Sequence, residues 1–356
     1  MVPAKQKLQS IQVLRCLAIT LIVASHLIGK SFDFGGEGGV AIFFVMSGFV
    51  LSWAYSDKIE RGQFSTKAFV FHQLTKFYPL MVLGVFFFVL AEWHAGYPVS
   101  WGKLIAKLLL INTWFCSKEM LFSYLGSAWF LCDIVVFYCL FKPLNQALRK
   151  MRRNRLLICS CILLAIYLCF VALLPGSSFN WTLYSFPPFR LIDCSIGILL
   201  YRFCVSDTGE RLVKRFASVR LQVLLSFVIL ILFAGSFFLY QDVLPVNVRG
   251  VSLFWPLAVV SIFYAISMER QHPHLMASSV MRALAFIGDI SMEIFLTHEV
   301  VVYMCNIIAS RLGIYHTHHL LVLFITILVI PFFAWLARKY FVAPLQHSRI
   351  FIRNPR

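Results

Sequence analysis

The sequence is short of charge. Only 13% of its 356 residues are Asp, Glu, Lys or Arg, and just 15 are acids. Soluble domains carry about 25% charged residues, so a water-exposed globular surface is excluded. Long hydrophilic stretches are missing too, the longest reaching only about twenty residues. That leaves no room for a nucleotide-binding domain and excludes an ABC-type pump. Ten cysteines are present but no C-x-x-C pair, and most of them (Cys159, Cys161, Cys169, Cys194 and Cys305 among them) fall in apolar runs. They read as small buried hydrophobes, with neither metal nor redox work implied. No G-x-x-x-x-G-K, H-E-x-x-H or G-x-S-x-G pattern occurs, which removes the phosphate-loop, zinc-protease and serine-hydrolase signatures. With no low-complexity linker or clear repeat, residues 1–356 read as a single domain.

Apolar sequence is present in excess: 60% hydrophobic residues and a mean hydropathy of +0.82. The runs are about 18–22 residues long without strict alternation, the pattern of membrane-spanning helices. Lipid leaves no water for unpaired backbone groups, so spans must be helices or a closed barrel. The expected fold is an all-α polytopic bundle of about ten transmembrane helices. They lie near 10–28, 39–56, 77–95, 122–141, 156–174, 186–204, 221–240, 250–267, 284–306 and 319–340. Residues 101–115, with Lys103 and Lys107 on one side, read as an interfacial or re-entrant helix. Lys5 and Lys7 before the first apolar run resemble a signal peptide. No small-residue cleavage site follows His26, so an uncleaved first helix is expected.

A net charge of +17 would suggest acidic partners in a soluble protein. In a membrane protein it is read as topology, because Lys and Arg collect on the cytoplasmic side. The N-terminus, the C-terminal tail and the alternate loops between them hold 24 Lys and Arg, against 6 in the opposite set. This predicts both termini in the cytoplasm, contact with membrane lipid and no nucleic-acid partner.

Polar groups inside the apolar runs are costly and mark function by default. Arg15 and His26 are eleven residues apart on one helical face, about 16 Å along the axis. Each would snorkel to its own interface if it were merely structural. Gly35-Gly36-Glu37-Gly38-Gly39 opens the second span as a tight turn, and Ser47-Gly48 follows within an aromatic helix, where small residues usually serve packing. Phe77-Tyr78-Pro79 is expected to begin the third span, behind Lys76 on the rim. Arg190 and Asp193 share a face of the sixth, as a buried ion pair commonly would. In the ninth span Ser291 and His298 share one face, Asp289 and Glu293 another. Such a helix faces protein or water rather than lipid, and transporter proton relays look similar. His272, His274 and the run His316-Thr317-His318-His319 lack partners at zinc-site spacing and read as loop residues. No metal site is expected.

Read in order, the motifs Arg15-x10-His26, Gly-Gly-Val-x-x-Phe-Phe-Val-Met-Ser-Gly-Phe at 38–49 and Lys76-Phe-Tyr-Pro79 form one set. It continues with Trp129, Phe137-Tyr138, Arg190-x-x-Asp193-x3-Gly197 and Phe286-Ile-Gly-Asp-Ile-Ser-x4-Leu-Thr-His298. Together they resemble the membrane acyltransferase-3 family across most of the chain. The resemblance implies ten spans in the bacterial cytoplasmic (inner) membrane. The implied activity moves an acyl group, commonly acetyl from cytoplasmic acetyl-CoA, onto a hydroxyl of an envelope polysaccharide or lipid-linked glycan. No permanently bound cofactor is implied, only acyl-CoA as donor. The essential histidine of the resemblance maps to His26 and its early arginine to Arg15. Its R-x-x-R before the proline reads Gln73-x-x-Lys76. Other departures are Ala41, Ile134 (with Asp133 one position earlier) and Val342-Ala343-Pro344, where acids are often found.

An integral membrane O-acetyltransferase is therefore expected. His26 would take the hydroxyl proton or carry the acyl group, with Arg15 orienting the thioester. Lys76 and Gln73 would bind the donor phosphates. Ser47, Glu37, Arg190, Asp193, Ser291 and His298 would line the acceptor side or the cavity. The competing expectation is a proton-coupled transporter or glycan-lipid flippase.

Overall fold

The computed structural model describes residues 7–27, 36–174, 182–216, 218–239, 251–315 and 317–347. Lys5, Lys30, Gly35, Arg249, His316 and the tail from 348 lie outside the described residues. The main helices are α1 (Gln9–Leu27), α2 (Gly36–Glu60), α3 (Thr66–His94), α4 (Trp101–Leu108), α5 (Trp129–Lys150), α6 (Arg153–Leu173) and α7 (Pro187–Cys204). They continue as α8 (Asp207–Arg215), α9 (Val219–Phe238), α10 (Trp255–Gln271), α11 (Ser279–Asp289), α12 (Ser291–Arg311) and α13 (His319–Ala337). Among the described residues nine helices are long and apolar enough to cross a membrane. The remaining expected span, the sixth, is α7, whose Arg190, Asp193 and Arg202 lower its apolarity although Arg190 and Asp193 are buried. The fold is an all-α polytopic bundle.

α1, α2, α5, α7 and α12 form its centre. α2 and α7 pack so closely that a Cβ on Gly48 would strike the Cys194 carbonyl and one on Gly197 the Val45 carbonyl. Small residues that let backbones touch are the usual membrane helix contact. Between α5 and α2 the Asn145 amide donates to Ser52 Oγ at 3.2 Å and Ser56 Oγ at 3.1 Å, polar links that lipid cannot replace. By contrast α6 and α9 bury little and present exposed Ile162, Leu163, Leu224 and Leu230, which suits a lipid-facing rim.

Four local expectations are corrected. α3 starts at Thr66 rather than 77, capped by Ser65, which accepts from the Ala68 amide, and Pro79 lies inside it. Phe69, Gln73, Phe77, Leu80 and Met81 give it one buried face across the proline, and neighbouring helices make such a proline tolerable. The glycines at 36, 38 and 39 form the first turn of α2, not a loop. The span expected at 284–306 is broken at Ile290 into α11 and α12, and Arg338 Nη1 donates to the Asp289 carbonyl at 2.7 Å. A carbonyl released by the break is thereby satisfied. The piece at 101–115 is helical only to Leu108, with a 3₁₀ turn over Asn112–Phe115. Lys107 does not share an exposed side with Lys103: it is fully buried, and its ammonium donates to the Leu121 and Leu125 carbonyls at 2.8 and 3.2 Å.

Candidate active site

The polar face of α1 meets the polar face of α12. Arg15 Nε donates to Ser291 Oγ at 3.2 Å. About three turns further along, the His26 ring stands edge-on to His298, with centroids 4.9 Å apart and planes at 76°. The break at Ile290 lets Ser291 start a helix directly opposite Arg15. Each contact point borders a different cavity.

The first cavity, about 600 Å³, holds Arg15 with Lys7, Lys76 and Arg338, and its acids are Asp289 and Glu293. Lys7 pairs with Asp289 at 2.5 Å and Arg338 reaches Glu293 at 3.9 Å. Arg15 and Lys76 have no carboxylate partner among the described residues. Lys76 Nζ donates instead to Gln73 Oε1 at 3.1 Å. The cavity therefore has a surplus of positive charge in a low-dielectric setting, the condition that draws an anion. Ser47 also lines it, but its hydroxyl donates to the Phe43 carbonyl at 2.7 Å.

The second cavity, about 360 Å³, is lined by His26, Glu37, Ser127, Trp129, Tyr184 and Glu299 among others. His26 Nδ1 lies 2.8 Å from the Ile22 carbonyl and His298 Nδ1 2.8 Å from the Phe295 carbonyl. A carbonyl only accepts, so Nδ1 is the donor in each ring, which leaves Nε2 as the nitrogen with a lone pair in the neutral imidazole. His298 is buried and its Nε2 has no hydrogen-bond partner among the described residues. Glu299 accepts from the Gly126 amide at 2.9 Å and the Ser127 amide at 2.7 Å. It thus ties the start of α5 to α12 beside both histidines.

His26, His298 and Glu299 each bring one donor atom into a group spread over up to 4.8 Å, a set that could hold a metal ion. Zinc bonds of about 2.1 Å imply donors only about 3.4 Å apart, and both Glu299 oxygens already serve backbone amides. The arrangement suits proton transfer better than metal binding.

Arg190 and Asp193 border neither cavity. They form an ion pair at 2.8 Å, both side chains almost wholly buried, with the Trp255 indole donating to Asp193. Asp133, also buried, is within electrostatic reach of both. This is interior packing between α5, α7 and α10.

Three contributors were not singled out from sequence. Glu299 follows His298 directly, and that adjacency was its signal. Arg338 was counted only as a topological charge. Lys107 pins the segment between α3 and α5 beside the His26 cavity. Burial pulls its ammonium down to about 8, with Glu299 acting in the opposite direction.

Residues 8–338 match the family described as Acyltransferase domain, of acyltransferase-3 type, and the chain belongs to that family. It is a multi-pass membrane protein carrying an acyltransferase-3 domain. Acyltransferase MdmB of Streptomyces mycarofaciens is 27% identical over 230 residues. That match covers 56% of this chain and 58% of the relative, so the chain spans little more than half the length of that protein. No solved structure matches.

Proposed function

We propose that the protein is an O-acetyltransferase of the bacterial inner membrane. It takes acetyl from cytoplasmic acetyl-CoA and places it on a hydroxyl of an envelope polysaccharide or lipid-linked glycan. The observation that carries this is the two-cavity arrangement along one face of α1, with cations around Arg15 and the imidazoles at His26. The 24 to 6 distribution of Lys and Arg supports both termini, and with them the Arg15 cavity, facing the cytoplasm. Acyl-CoA phosphates would pair with Lys76 and Lys7, joined by Arg338 where Gln73 supplies no charge. The acyl arm would then extend past Arg15 towards His26.

In the transfer, the acceptor oxygen attacks the thioester carbonyl while His26 Nε2 takes its proton. The C–S bond breaks, the proton passes to the departing CoA thiolate, and the new ester leaves through the His26 cavity. A double displacement through an acyl-histidine uses the same lone pair. Glu37 and His298 would line the acceptor side, and Ser291 would hold Arg15 in place.

The test is His26→Ala in membranes supplied with labelled acetyl-CoA. Loss of a general base costs about 10²–10⁴-fold, so label in the glycan fraction should fall by at least a hundredfold with expression unchanged. Transfer at the wild-type rate would sink the assignment.

A further inference from the structure

Leu125 and Gly126 share one peptide unit, and a charged side chain holds each end of it. Its carbonyl accepts from the Lys107 ammonium at 3.2 Å, and its N–H donates to Glu299 Oε2 at 2.9 Å. The next N–H, on Ser127, donates to Glu299 Oε1 at 2.7 Å. Both carboxylate oxygens are thus tied to backbone at the turn that leads into α5. A Cβ on Gly126 would lie 3.2 Å from Oε1, so glycine is what allows so close an approach.

One Glu299 oxygen lies within 4.8 Å of a ring nitrogen of both His26 and His298. Glu299 makes no hydrogen bond to either ring among the described residues, so it acts on them through its charge. The other ionisable groups around the pair are Glu37 on α2 and Tyr184, which line the same cavity, and Lys107 behind the peptide. In the transfer proposed above, the acceptor oxygen bonds to the acyl carbon and its proton goes to His26 Nε2. The ring is then an imidazolium until the departing thiolate takes the proton. An opposite charge already fixed beside it needs no rearrangement to meet that charge. We propose that Glu299 is the positioning residue that stabilises this imidazolium, held in place for it by the Gly126 and Ser127 amides. This rests on His26 being the base, and adds the group that sets how strong a base it is.

The test follows labelled acetyl transfer from acetyl-CoA against pH, in membranes carrying the full chain and their own acceptor. Transfer needs a neutral His26, so the rate falls on the acid side as the ring takes up a proton. Removing the carboxylate charge makes that uptake harder. An opposite charge within about 4–6 Å moves a titration by about 1–3 units, and His26 is open to the cavity, so the lower end applies. Glu299→Gln should therefore move the acid limb about one unit lower and cut the plateau rate by up to about tenfold. Glu299→Asp draws the charge back by one methylene and should move the limb the same way by less. Lys107→Met loosens the same peptide but leaves the carboxylate, so it should not lower the limb. Lys107, with its value of about 8, keeps its charge across the acid limb. Thermal unfolding in detergent identifies the variants that fold, and Glu299→Asp carries the reading where Glu299→Gln does not. An acid limb unmoved in the folded Glu299 variants overturns the proposal. So does an equal downward move in Lys107→Met, which would make loosening of the turn the cause. His26→Ala at the wild-type rate overturns the base assignment itself, and this inference with it.

Discussion

At the scale of single residues the chemistry depends on where protons sit. Two imidazoles held through Nδ1 by backbone carbonyls cannot rotate without losing a bond, so the His26 ring on the cavity wall and the buried His298 ring against it are fixed before substrate arrives. Lys107 is a second case of a held proton, outside the spans. Its folded value of about 8 lies below the ordinary 10.5, so the unfolded chain binds that proton more tightly. Burying the ammonium therefore costs stability below about pH 8, and the cost fades as pH rises from there to about 10.5. Lys107→Met removes the effect together with two hydrogen bonds. Thermal unfolding at pH 7 and pH 10 should show the wild type's advantage over Lys107→Met growing with pH. A constant or shrinking difference would contradict the buried-ammonium account. In the sequence, Arg15, His26, Ser291 and His298 were legible because a polar group in an apolar run is conspicuous. Lys107 was not, since Lys103 and Lys107 at i and i+4 look like one solvated face. Only the fold of the following turn brings the Leu121 and Leu125 carbonyls to Lys107.

At the scale of elements, apolar run length located the helices but not their ends or breaks. Hydropathy averages over a window, so it merged α11 with α12 and passed over the first eleven residues of α3, where Lys67, His72 and Lys76 dilute the signal. The break at Ile290 is satisfied by Arg338, some fifty residues away, and no local pattern contains that partner. Gly48 acts in packing, the usual role of a small residue in such a helix: with Gly197 it lets α2 and α7 interlock. Gly48→Ala puts a methyl against a backbone carbonyl that cannot step aside. A cost of about 1–3 kcal/mol is expected from such overpacking, read as a lower unfolding temperature in detergent. An unchanged temperature would mean that the two helices can separate freely.

At the scale of the whole molecule, the bundle was legible because composition and charge asymmetry constrain it twice over. A missed or invented span would have scrambled the 24 to 6 distribution of Lys and Arg. The proposed orientation predicts that a fluorescent protein fused at the C-terminus will mature and glow, and that alkaline phosphatase fused there will stay inactive. The opposite pair of results would invert the donor and acceptor sides. The partition of the interior was not legible, because Phe43, Phe130 and Phe295 are three among 36 phenylalanines. Only their convergence sets them apart: Phe43 and Phe130 on the Arg15 cavity and Phe295 on the His26 cavity stand edge to face, with centroids 6.3 and 5.3 Å apart.

That convergence has an electrical consequence. Two water-accessible hollows reaching towards each other from opposite ends of a bundle would, if joined, short-circuit the membrane to ions. Phe43, Phe130 and Phe295 interrupt the water column with rings that carry no proton. A protein built this way can expose reactive groups at both ends and still leave a proton gradient across its membrane intact.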